Sequence, residues 1–192
     1  MSAKDNIITL PNANLRTRSK KVGVINDDIM SLIGDMEAAT LSWEDSREHE
    51  IGVALAAIQI NSLLRIIIVR TDFDNKKDRT FNVLINPEIT KLEGDMIEDY
   101  EGCLSIHNVY GKIPRYNKVK VKALNKHGKN IRITAEGFLA RILQHEIDHT
   151  NGIVIIDHIK EKEEAFFILD DDGQLQSLDY NKDIKNNQDL WD

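Results

Sequence analysis

The sequence predicts an α+β domain in which hairpin-forming strands pack against helices. Three observations carry this. Short β-branched or alternating runs recur between residues 65 and 134. His127-Gly128 joins two of those runs at hairpin spacing. The segment 134–150 keeps helical spacing and is apolar on two faces, which marks a central, buried helix. A chain of 192 residues can bury such a core in one domain. We expect a single catalytic domain over 1–192, with a core over about 10–160. A C-terminal hairpin and polar tail follow over about 161–192.

Each element has its own signal. After Pro11 the segment with Leu15, Arg16 and Val22 reads as an extended lead-in. Asp27 or Asp28 can cap a helix to about Trp43, with Ile29, Ile33, Met36 and Thr40 at helical spacing. A charged loop, WEDSREHE, precedes IGVALAAIQI, an apolar stretch of small residues that reaches the amide of Gln59. Arg65 and Arg70 enclose IIIV, a buried strand, and Phe81 to Pro87 is a second. Val119, Val121 and Ala123 alternate with Lys118, Lys120 and Lys122, a half-buried strand. Its hairpin partner is Asn130 to Thr134.

Thr134 can cap the next helix, with Gly137 an early weak spot. There Phe138, Ile142, His145 and His149 share one face, and Leu139, Leu143 and Ile147 another. IVII, residues 153 to 156, reads as a further strand. FFIL, DDDGQ and LQSL form a small terminal hairpin. The last dozen residues are polar and are expected to be loose.

Composition narrows the classes. A single cysteine rules out an intrachain disulfide and fits a reducing cytosol, so we expect a cytoplasmic protein. The N-terminal segment lacks the apolar run of a signal peptide, and no stretch approaches the ~20 apolar residues of a membrane span. A net charge of −7 argues against bulk binding to DNA or other nucleic acid.

The chemistry concentrates in QHEIDHTNG, residues 144 to 152. His145 and His149 lie four apart, one above the other on a helix, with Glu146 beside the first. Two imidazoles so placed can hold one ion while the carboxylate handles a water at it. Cys103, in EGCLS, adds a soft thiolate ligand. Three protein ligands leave one position open, which is the catalytic arrangement, whereas structural zinc sites close all four. Taken alone, Cys103 reads as a small apolar filler and HExxH as a polar helix face; only together do they make a site. Phe138 and Ile142, before His145 on the ligand face, would form an apolar pocket for an unbranched side chain.

With these motifs the chain resembles the peptide deformylases, metallohydrolases that remove the N-formyl group from the initiator methionine of nascent chains. The family carries GxGxAAxQ, EGCLS and QHExDH in that order. Here they read GVALAAIQ (Gly52 to Gln59), EGCLS (Glu101 to Ser105) and QHEIDH (Gln144 to His149). The resemblance implies mixed or antiparallel sheets wrapped around a central HExxH helix. It implies Cys103, His145 and His149 as metal ligands and Glu146 as general base and acid. It implies that the Gln59 amide and the Leu104 N–H bond the formyl oxygen as it becomes an oxyanion. It implies Val53, Ala54, Phe138 and Ile142 at the substrate. One divalent ion per chain is expected, ferrous iron first, with zinc, nickel or cobalt as alternatives.

The chain departs from the pattern at Ala54, where the family has glycine, at Ile58 and at His107. A methyl at 54 crowds a cleft unless the backbone compensates. His107 is expected at the surface or at the cleft mouth. The C-terminal hairpin and acidic tail do not match the extended helix that some members use to grip the ribosome. Two alternatives stay open. One is a zincin-type metallopeptidase: HEIDHTNG follows HExxHxxGxxH as far as Gly152, but Ile155 stands at the third histidine, which leaves only a downstream glutamate such as Glu163 or Glu164. The other is a non-catalytic, metal-binding relative.

Gly102 to Ala135 contains no acidic residue and holds Lys112, Arg115, Lys118, Lys120, Lys122, Lys126, Lys129 and Arg132. The bland reading of Lys118, Lys120 and Lys122 is a solvated sheet face. The sharper one is a transient contact with ribosomal RNA.

Overall fold

A computed structural model describes residues 2–73 and 75–191. It is α+β, as expected. The strands are β1 (Ala54–Ala56), β2 (Ile66–Arg70), β3 (Phe81–Cys103), β4 (Ile106–Leu124), β5 (Asn130–Glu136), β6 (Phe166–Leu169) and β7 (Leu175–Ser177). They form one sheet in the order β1-β2-β3-β4-β6-β7, with β5 paired to β4. The strand pairings are antiparallel, which settles the choice between mixed and antiparallel; the parallel contact is an isolated bridge, Lys20 to Leu64. Helices α1 (Asp27–Glu44), α2 (Gly137–Thr150) and α3 (Gln188–Trp191) complete it.

β2 explains the layering. Its five residues are all buried because both faces are covered. Ile67 and Val69 join Val119, Val121, Leu143 and Ile147 in the core beside α2. Ile66 and Ile68 join Ile33, Met36 and Leu55 in the core beside α1. Each such side chain contributes roughly 1.5–3 kcal/mol of burial. A third cluster gathers Cys103, Ile113, Ile156 and Phe166.

Several boundaries differ from expectation. Asn26, not Asp27 or Asp28, caps α1: its side chain accepts from Ile29 N at 3.2 Å. The lead-in contains a 3₁₀ turn, Ala13–Arg16, which buries Leu15. The strand from Phe81 does not stop at Pro87. It runs 23 residues to Cys103, with bulges against β4. Much of its second half is exposed on both faces, so no alternation marks it.

Thr134 does not cap α2. It lies inside β5, paired with Lys120. The break comes at Gly137, whose φ of +59° side chains resist. IVII is not a strand. Val154, Ile155 and Ile156 are buried, but Ile155–His158 is a 3₁₀ turn, closed by Val154 N donating to Asp157 at 2.8 Å. An apolar run signals burial without fixing conformation.

The terminal hairpin, β6 with β7, forms as expected. The tail beyond it is not loose: Ile184 and Leu190 are buried with Phe166, and Trp191 donates its indole N–H to Ile184 O at 2.8 Å. A few spaced apolar residues suffice because the rest of the fold supplies their docking surface. Residue 192 lies outside the described residues.

Candidate metal centre

α2 sets the two histidines on one face, with ring centroids 4.9 Å apart. The end of β3 brings Cys103 beside them: Sγ lies 3.2 Å from His149 Nε2. The ligand atoms of Cys103, His145 and His149 lie within 4.8 Å of one another. Among the described residues no other cluster of this kind occurs, and Glu163 and Glu164 are exposed and outside it. The downstream glutamate that the zincin alternative requires therefore does not reach the histidines.

The donor set suits a divalent ion of borderline softness: one thiolate and two imidazoles, with one coordination position open. The surroundings fit as well. Glu101 Oε2 stands 3.0 Å from His145 Nδ1, which leaves Nε2 for an ion. Arg115 grips the Glu101 carboxylate at 3.0 and 3.1 Å, and Arg141 grips it at 2.8 Å. Arg115 also binds Asp148, which receives His158 at 2.7 Å. Glu146 is buried, and its Oε2 has no hydrogen-bond partner among the described residues. Such an orphaned acceptor is costly unless a ligand or water completes it.

The electrostatics, without an ion, separate the groups. Burial pushes the Glu146 carboxyl up to about 7. Burial pushes His149 well below the usual histidine range, so it is neutral and fit to ligate. Burial also opposes charge on His145, but Cys103 and Glu101 outweigh it and hold that ring well above its usual range.

Gln59 is 1% exposed and held at both ends of its amide. Its Oε1 accepts from Ala56 N at 2.9 Å; its Nε2 donates to Ser105 Oγ at 3.1 Å and lies 3.8 Å from Cys103 Sγ. The donor end therefore faces the ligands. A side chain at Gly102 would meet the Tyr110 ring at 2.7 Å, so only glycine admits this approach of β3 and β4 beside Cys103.

A cleft of about 760 Å³ opens over the site. Val53, Ala54, Gln59, Cys103 and Leu104 line it from the β1 and β3 side. Phe138, Ile142, His145 and Glu146 line it from α2. Phe138 is half exposed and meets Phe73 edge to face at 5.2 Å. His107 is both exposed and at the cleft, which joins the two places expected for it. Sequence reasoning quoted Glu101, Ser105 and Asp148 inside motifs but gave them no part. It missed Arg141 and Tyr110 altogether. A buried carboxylate gripped by two arginines leaves no local pattern.

Residues 4–165 match the family model for polypeptide deformylase. The chain is 42% identical over 147 residues to peptide deformylase 2 of Clostridium acetobutylicum, covering 77% of this chain and 89% of that one. It is 46% identical over 145 residues to a peptide deformylase of Halothermothrix orenii, covering 76% and 86%. The crystal structure of a peptide deformylase from Legionella pneumophila superposes with a TM-score of 0.70 at 39% identity, over 79% of this chain and 83% of that one.

Proposed function

The chain belongs to the polypeptide deformylase family, and from that premise we infer that its cleft is where deformylation takes place. The protein is a metal-dependent hydrolase that removes the N-formyl group from the N-terminal formylmethionine of nascent polypeptides. The observation that carries the site reading is the convergence of Cys103, His145 and His149 at a cleft that the buried Glu146, with its unpartnered Oε2, also lines.

In this reading the three ligands hold one divalent ion, ferrous iron before zinc, nickel or cobalt, since a thiolate with two imidazoles suits any of them. When bound, the ion supplies a Lewis acid and makes hydroxide available near neutral pH. Glu146 takes the proton of the attacking water and returns it to the departing amine. The Gln59 amide and the Leu104 N–H donate to the formyl oxygen as it gains charge, each worth about 2.7–4 kcal/mol by analogy with measured oxyanion holes. Val53, Ala54, Phe138 and Ile142 receive the methionine side. Arg115 and Arg141 fix Glu101, and Glu101 fixes the His145 ring.

We further propose α2 as the central helix of the fold, supported by its packing against β1 to β5. The reading of 1–192 as one catalytic domain is supported by the single sheet. No helix among the described residues is long and apolar enough to cross a membrane. A cytoplasmic site of action rests on the solitary reduced cysteine.

For the lysine face the solvated reading is favoured over ribosome contact. Lys118, Lys120 and Lys122 pair with Glu136, Glu93 and Glu88 at 2.6, 3.2 and 3.1 Å. Those neighbours cancel much of the field that a phosphate backbone would feel.

The test is turnover of formyl-Met-Ala-Ser by anaerobic, ferrous-loaded protein, with metal content measured beside it. The Glu146→Gln variant should keep its ion and lose most of its activity. The Cys103→Ser variant should lose ferrous affinity. Activity within a few-fold of the parent in Glu146→Gln would remove that residue from the mechanism. Full activity in Cys103→Ser would remove the thiolate from the site.

A further inference from the structure

The family match ends at residue 165, and β6 begins at Phe166. The segment beyond the match completes the packing behind the metal centre. Three strands put Glu101, Gly111 and Phe166 in one row, since Glu101 pairs with Gly111 and Gly111 with Phe166. Residues paired in this way point to one face of the sheet. Glu101, which meets His145 at 3.0 Å, and Phe166 therefore share a face with only a glycine between them. A Cβ at Gly111 would stand 2.8 Å from Ile159 Cδ1, so the glycine lets Ile159 close over the row. Glu101 is 6% exposed, and Ile159 and Phe166 are fully buried. Cys103 belongs to the same buried cluster as Ile159 and Phe166. From the row the hairpin runs on to its turn, where Leu169 and Asp170 line the cleft mouth.

The tail holds Phe166 in place. Leu178 N donates to Phe166 O at 3.0 Å. The Tyr180 and Trp191 ring centroids lie 5.6 and 6.4 Å from that of Phe166, and Ile184 and Leu190 are buried in the same cluster. The end of the tail is itself clasped. Arg16 donates to Leu190 O at 3.1 Å and pairs with Asp157 at 2.5 Å. Lys160 Nζ lies 5.5 Å over the Trp191 ring. Loss of this packing would open the row to water. A carboxylate in a drier surrounding holds its histidine more strongly, and the apolar shell of a metal site sets that dielectric.

Resting on the function above, we propose that the tail from Tyr180 to Trp191 is a positioning element for the metal centre. By packing on Phe166 it keeps the row closed, so that Glu101 stays on His145 Nδ1 and the three ligands retain their ion. Phe166 and Trp191 are the positioning residues. They touch neither ion nor substrate and act through Glu101.

The test uses the full chain and measures zinc affinity by chelator competition, with a melting curve for every variant. Phe166→Leu keeps the β6 pairing but removes the ring on which Tyr180 and Trp191 pack, and Trp191→Ala removes the outer ring alone. Direct partners of ligating histidines are worth about 10–100-fold, so these residues, one step further out, should each cost about 3–10-fold in affinity. Trp191→Phe should restore most of it. Ile33→Val, in the core beside α1, lowers stability away from the row and should keep the parental affinity. In a Glu101→Gln background the Trp191→Ala loss should shrink to within about twofold, because the tail acts through Glu101. Parental affinity in folded Trp191→Ala, an equal loss in Ile33→Val, or an undiminished loss in the Glu101→Gln background overturns the inference while deformylation stands. If Phe166→Leu does not fold, the partly buried Trp191 decides alone. Zinc affinity unchanged by Cys103→Ser would instead overturn the reading of the site, and this inference with it.

Discussion

Glu101 and His145, 44 positions apart in the chain, meet at 3.0 Å through Oε2 and Nδ1. That contact joins the end of the longest strand to the helix bearing two of the proposed ligands. It also fixes which nitrogen of His145 is left to bind an ion.

Glu101→Gln keeps the shape but weakens the acceptor. Outer partners of metal-bound histidines are typically worth about 10–100-fold in affinity or activity. Ferrous or zinc affinity, measured by chelator competition, should fall by that order while the fold stays intact. Parental affinity would show that Arg115 and Arg141 hold Glu101 for packing alone.

Ala54 is 2% exposed and sits in the core cluster with Ile67, Val69 and Ile142. Although it lines the cleft, little of its methyl is exposed there, so compensation is favoured over crowding. Ala54→Gly should lower stability by about 0.5–1 kcal/mol and leave kcat/KM within about twofold. Paired melting curves and rates decide this; a clear rate gain would restore the crowding argument.

Glu44 and Arg70 form a buried ion pair that also holds the backbone entering β1. Glu44 accepts from Gly52 N at 3.0 Å, and Arg70 donates to Gly52 O at 3.3 Å. Glu44→Ala should destabilise by about 3–5 kcal/mol, because it strands a buried guanidinium. Glu44→Met/Arg70→Met should recover most of that loss, since a packed apolar pair is often neutral. Denaturant midpoints of the single and double variants test this. A single variant as stable as the parent would contradict it.

Replacing Lys118, Lys120 and Lys122 by glutamine should leave ribosome cosedimentation at its parental level across a salt series, because each lysine already has a glutamate beside it. A weaker association with a flatter salt dependence would instead establish an RNA contact on this face. Activity on a short formyl peptide serves as the control.

The sequence by itself determined whatever is local or periodic. The ligand spacing of His145 and His149 follows from helix geometry, and the β2 and β4 strands follow from β-branched runs and alternation. The three motifs, in order, marked Cys103 and Gln59 as partners of that helix although neither is near it in the chain. Only the tertiary structure decided what depends on two distant segments meeting. The exposed half of β3 is held by pairing with β4 and has no apolar pattern to announce it. The run at 153–156 signalled burial, and contacts elsewhere bent it into a turn. The last residues looked loose because their few apolar side chains acquire meaning only against Phe166. The grip of Arg115 and Arg141 on Glu101, and the hairpin turn at the cleft mouth, leave no local trace for the same reason: a charge pair or a docked turn is fixed by its neighbours in space.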